Sequence, residues 1–95
     1  MEPMKAPRRP TAEAAELLAI QALGFIAEDQ ERLARFLDMT GIPFEQIRAA
    51  TRMPGFFAGV LEHMLGDESL LIAFADSGGI NPAEIARARG ALGKR

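Results

Sequence analysis

Cysteine, tryptophan and tyrosine are missing from these 95 residues, and histidine and valine occur once each. Without cysteine there is no disulfide framework, thiolate zinc site, iron–sulfur cluster or cysteine nucleophile. The one imidazole, His63, leaves little for a metal site, which takes about three or four ligands, or for a base-driven catalytic group. Long hydrophobic runs are absent too. The longest charge-free apolar stretch is Leu17 to Ala27, eleven residues interrupted by Gln21. A bilayer span needs about 20 apolar residues, so this stretch reads as a core helix. Lys5, Arg8 and Arg9 precede it in the manner of a signal peptide, but Glu13 and Glu16 intervene and Pro3, Pro7 and Pro10 break the approach. Glu28-Asp29 follows where a small-residue cleavage site would stand, so a reducing cytoplasm is the expected location.

Charge of one sign is also scarce overall, with a net value of −2. The balance hides a pattern: residues 1–10 carry +2, residues 11–78 carry −7 (four basic, eleven acidic) and residues 79–95 carry +3 (four basic, one acidic). The near-neutral total argues against a wholly basic nucleic-acid binder, but two basic ends flanking an acidic body weaken that exclusion and show where it could fail.

What is present is helical punctuation. Residues 1–10 hold Pro3, Pro7 and Pro10 with four charges and no apolar period, and read as a flexible N-terminal tail ahead of one helical domain over 11–93. Thr11 is a good N-cap for a first helix, in which Leu17, Leu18, Ile20, Leu23, Phe25 and Ile26 point almost all round. Such a helix is expected at the buried centre, or covered in part by a dimer partner. Gly24 within it costs about 1 kcal/mol against Ala unless a neighbouring helix needs the close approach. Asp29 and Gly41 bound a second helix, with Leu33, Phe36 and Leu37 on one face, and Pro43 opens a short third. Pro54 suits the first turn of a fourth helix, which carries Phe57, Val60, Leu61 and Met64. Asp67 caps a fifth that ends at Gly78-Gly79. In the last helix Asn81, Pro82 and Glu84 have capping-box spacing between Ile80 and Ile85, with Ile85, Ala88 and Leu92 inward. Nothing alternates in the manner of a strand, so the periodicity predicts an all-α, compact bundle of about six short helices, ending in basic residues 94–95.

Sliding the chain against itself by 38 residues aligns 29–50 with 67–88 at eight of 22 positions, among them Asp29/Asp67, Phe36/Phe74, Gly41/Gly79 and Ile47/Ile85. Chance would give roughly two in an average composition. Two pseudo-repeated three-helix units, 12–50 and 51–92, account for this. So does convergence on common cap, core and stop chemistry.

Three constellations bear on function. Met53-Pro54-Gly55-Phe56-Phe57 places adjacent phenylalanines about 100° apart on one helix. With Phe57 in register with the core, Phe56 is expected partly exposed beside Met53 and Arg52, as a partner-binding patch; the alternative is that Phe56 plugs the gap between the two units. Ala75, Gly79 and Ile85 have helix-turn-helix spacing, and Arg87, Arg89, Lys94 and Arg95 could then meet DNA. Against DNA, the same turn recurs at Leu37, Gly41 and Ile47, the reading helix lacks Asn or Gln, and Glu84 would face phosphates. A plain helical corner accounts for the spacing better. His63 with Glu62, Asp67 and Glu68 could suggest a metal or acid–base site, but reads better as a half-buried histidine near a helix end. Thr11, Thr40, Thr51, Ser69 and Ser77 all lie near helix ends, where hydroxyls serve the backbone, so no enzyme, cofactor or small-molecule substrate is expected. The expected partner is another protein or a second copy.

The stretches Leu23-Gly24-Phe25-Ile26-Ala27-Glu28-Asp29, Pro54-Gly55-Phe56-Phe57-Ala58-Gly59-Val60-Leu61 and Asp67-Glu68-Ser69-Leu70-Leu71-Ile72-Ala73-Phe74-Ala75 resemble small alphaproteobacterial proteins grouped as domain of unknown function family 3572. Leu33-Ala34-Arg35-Phe36-Leu37 and Gly79-Ile80-Asn81-Pro82-Ala83-Glu84-Ile85 fit the same resemblance, which spans about residues 12–92. It implies a short, cytoplasmic, helical bacterial protein and assigns no catalytic or binding residue. Gln30 stands where the family often has Pro, which alters only helix initiation.

Overall fold

The computed structural model describes residues 10–93. Most of the tail and the basic end at 94–95, with Lys94 and Arg95, lie outside the described residues. Six α-helices follow in order: α1 (Ala12–Ala27), α2 (Gln30–Thr40), α3 (Ile47–Ala50), α4 (Phe56–Leu65), α5 (Glu68–Gly78) and α6 (Pro82–Ala91). No strand occurs among the described residues.

The caps fall where polar side chains can take the orphan amides of a first turn. Thr11 accepts from Ala14 N–H at 3.0 Å, Asp29 from Glu31 at 2.8 Å, Asp67 from Leu70 at 3.1 Å and Asn81 from Ala83 at 2.9 Å. Gly41 (φ 75°) and Gly79 (φ 63°) end α2 and α5 in the left-handed region that a Cβ disfavours. Two elements differ from expectation. The third helix is one 3-10 turn, Phe44–Gln46, followed by a single α-turn, and neither has a side-chain cap. Gly55, at φ 88°, cannot join a helix, so α4 starts at Phe56 rather than Pro54.

The core forms where α1, α4 and α6 pack on one another. From α1 it takes Ala15, Ala19, Ala22 and Ile26, all fully buried, on the stripe that 3.6 residues per turn brings to one side. Small residues there let the α4 and α6 backbones approach closely. α4 contributes Val60, Leu61 and Met64, and α6 contributes Ile85 and Ala88. The expectation of a uniformly buried α1 is corrected: Leu17 is 62% and Ile20 49% exposed, because they point away from the alanine stripe. Among the described residues no neighbouring element meets Gly24 either, since beyond its own helix backbone nothing lies within 4 Å of where its Cβ would stand.

Two ion pairs tie elements from distant parts of the chain. Arg89 on α6 holds Glu62 on α4 through Nε at 2.7 Å, and Arg35 on α2 reaches Asp67 at 3.5 Å. Each has one exposed and one half-buried partner, and pairs open to solvent on one side add about 0–1 kcal/mol each. Rings do more of the holding. Phe36, 1% exposed, meets Phe56 and His63 edge-on, and Phe25 meets Phe74 at 5.4 Å.

Candidate functional site

The chain reverses sharply between α3 and α4. Arg52 N–H donates to Ala49 C=O at 3.1 Å, Met53 N–H to Ala50 C=O at 2.9 Å and Phe56 N–H to Met53 C=O at 3.2 Å. The Thr51 hydroxyl donates to Arg48 C=O at 2.7 Å and so is occupied by the backbone. This reversal, with Gly55 left-handed, leaves a groove of about 310 Å³ between α3 and the start of α4. Ile42, Ala49, Ala50, Met53, Pro54 and Phe56 line it, with Gln46 and the Gly55 backbone completing it.

The expected exposure of Phe56 is corrected here. Its ring is 8% exposed and meets Phe36, from the first half of the chain, edge-on at 6.3 Å. The physical reason is the Phe36 ring across the junction, against which Phe56 packs, while Phe57 packs against the same core. Phe57 is half-buried in the first turn. Phe56 thus fills the space between the halves, the alternative weighed above, and only its groove side is open. Met53 stays 62% exposed as the lip of the groove, with Arg52 exposed beside it. The three residues singled out in the sequence therefore lie together, but as floor, lip and flank. A second cleft of about 410 Å³ opens on the other side of the turn, where Arg52, Met53 and Phe57 meet Glu16 of α1.

A polar cleft of about 320 Å³ lies between α2 and α5 and includes Arg32, Arg35, His63 and Asp67. Its charges are committed to structure. Asp67 caps α5 and pairs with Arg35, while Arg32 sits 4.2 Å from the centre of the Phe25 ring. Burial holds the His63 pKa below its ordinary value, against the opposing pull of Asp67; Arg35 adds to the lowering. Asp29 is held below its ordinary pKa by the amides of Arg32 and Glu31. No group of three or more potential metal ligands occurs among the described residues.

At the C-terminal end, Arg87 is exposed, but Arg89 is half-buried, holds Glu62 and donates to Gly93 C=O at 2.7 Å. It serves as a brace between α6 and α4. Ala75 and Ile85 are buried on either side of the Gly79 turn. Among the described residues no helix is long and apolar enough to cross a membrane.

Sequence reasoning missed Ile42, Ala49, Ala50 and Pro54 as groove residues, because each reads singly as ordinary helix or turn chemistry. The Met53-Pro54-Gly55 break between two apolar helices was the available signal. Six short helices around an alanine-lined centre, with an apolar groove at the middle turn, define a small all-α protein. A family model described as Protein of unknown function (DUF3572) matches residues 12–95, and the chain belongs to that family. No curated protein and no solved structure matches the chain.

Proposed function

We propose that this protein is a non-catalytic interaction module of the bacterial cytoplasm, and that the groove floored by Phe56 receives a helix of another polypeptide. The groove itself carries the reading: an apolar cleft with a flexible, exposed Met53 at its lip and Arg52 beside it has the composition of an interface centre. The absence of cysteine favours a reducing compartment. The hydroxyls support a non-catalytic role, since Thr11, Thr40 and Thr51 are each engaged by helix backbone. The pseudo-repeat fits the same picture. Asp29 and Asp67 cap equivalent helices and Gly41 and Gly79 stop them, while the first unit's third helix is shortened, and that shortening opens the groove.

Ala49→Arg fills the groove with an extended charged side chain. A photo-crosslinking methionine analogue at Met53 should label a partner chain in the native variant and lose that label in Ala49→Arg, with helicity unchanged. Labelling that persists with the groove filled sinks the reading. Retention on duplex DNA at low salt, lost in Arg87→Glu, would replace it with a regulator acting through α6.

A further inference from the structure

We propose that the polypeptide received by the groove is a second copy of this chain, which inserts the outward ridge of α1, Glu13–Leu17–Ile20, and offers its own groove in return. This rests on the interaction reading above and names its partner. The ridge is defined by what α1 buries. With Ala15, Ala19, Ala22 and Ile26 inward, the 100° step per residue places Glu13, Leu17, Ile20 and Gly24 on the opposite side. Leu17 and Ile20 are the two large exposed apolar side chains of this helix, and the open space over Gly24 lets another backbone come close. A pair of apolar side chains one turn apart is what a helix-in-groove contact inserts.

Charge selects the same match. Of the four basic residues in the acidic body, Arg32 lies on Phe25 and Arg35 pairs with Asp67. Arg48 on α3 and Arg52 in the turn after it, next to the lip residue Met53, are exposed, four residues apart, and among the described residues neither belongs to the two ion pairs given above. Glu13, exposed one turn before Leu17, supplies the opposite charge at one end of the ridge. Opposite charges at the edge of an apolar contact set its register and speed encounter.

Closure follows from where the two surfaces lie. Glu16, next to the ridge, lines the same cleft as Arg52, Met53 and Pro54. That cleft and the groove share Met53, Pro54 and Gly55, so the ridge and the groove flank the same turn. A twofold axis there lets each copy give a ridge and take one, which closes a dimer and leaves no free end to propagate a filament.

Sedimentation equilibrium of the full chain over a wide concentration range tests this. The expected result is a dimer that Leu17→Asp and Ala49→Arg each convert to monomer with unchanged helicity. Glu13→Arg and Arg52→Glu should each weaken pairing about tenfold, and the double charge swap should recover most of the loss. The exposed charge pair keeps the test open where a groove variant fails to fold. A native chain that is monomeric throughout, a dimer indifferent to Leu17→Asp, or charge reversals that do not compensate would each overturn self-pairing. Monomer that still labels a foreign chain through Met53, sensitive to Ala49→Arg, would retain the interaction reading and discard only the second copy.

Discussion

A phenyl ring wedged against another ring holds two parts of the chain together, and its removal exposes both. Phe56 is buried among Phe36, Phe57 and the groove wall, so Phe56→Ala removes apolar burial and leaves a void that the α3–α4 reversal cannot fully close. The expected cost is about 3 kcal/mol, read as a lower urea midpoint. Met53→Ala, at an exposed lip, should stay within about 0.5 kcal/mol of the native protein. Equal costs at the two positions would contradict the inward placement of Phe56. The choice between Phe56 and Phe57 was not legible in the sequence. Two adjacent phenylalanines leave the more buried ring undecided, because the ring that Phe56 meets, Phe36, lies in the other half of the chain. The Arg89–Glu62 brace was hidden for a similar reason: the two residues lie 27 apart, and no local pattern announces the pair.

At the scale of elements, α1 offers opposed tests of one geometry. A methyl group added at Gly24 meets no other element among the described residues, so Gly24→Ala should stabilise by about 0.5–1 kcal/mol through backbone entropy. Thermal unfolding in an Arg52→Glu background, where pairing is weakened, reads this as a midpoint rise of a few degrees. Ala19→Leu adds bulk where α1 meets its neighbours and should cost about 1–3 kcal/mol, a drop in the same measurement. Matching signs for the two variants would refute the assigned faces of α1. The helix limits were readable because caps and stops are local chemistry: Thr11, Asp29, Asp67 and Asn81 accept first-turn amides as their side chains dictate, and Gly41 and Gly79 terminate by backbone sign. The facing of α1 was not readable. An all-round apolar helix has no dominant face in its sequence, so the tertiary need for close backbones selected alanine over leucine. The groove was hidden likewise, because it exists only after α3 shortens and folds back on α4.

At the scale of the molecule, the two halves meet at His63 as well as at Phe56, and this junction makes stability depend on pH. His63 projects from α4 onto the edge of Phe36 in α2, with Arg35 and Asp67 facing it and Arg32, Asp29 and Glu31 around the same cleft. Desolvation is the largest influence and favours the neutral ring, Asp67 opposes it, and Arg35 reinforces it, so the folded pKa lies below the 6.5 of the free side chain. Between those two values the unfolded chain binds more protons than the folded one, and stability rises with pH. The contribution is therefore complete above about pH 6.5 and is lost as pH falls through the folded value. Asp29 acts in a separate window, because its lowered carboxyl pKa withdraws stability only below 3.8 and towards its folded value. Urea midpoints for the native protein should fall from about pH 7 to about pH 5, and His63→Gln should flatten that interval while leaving the acid limb unchanged. A slope that survives His63→Gln would locate the proton elsewhere. If the slope goes but pairing is unaffected, the junction of the halves titrates independently of the groove, as expected for two sites at opposite ends of the Phe36–Phe56 contact.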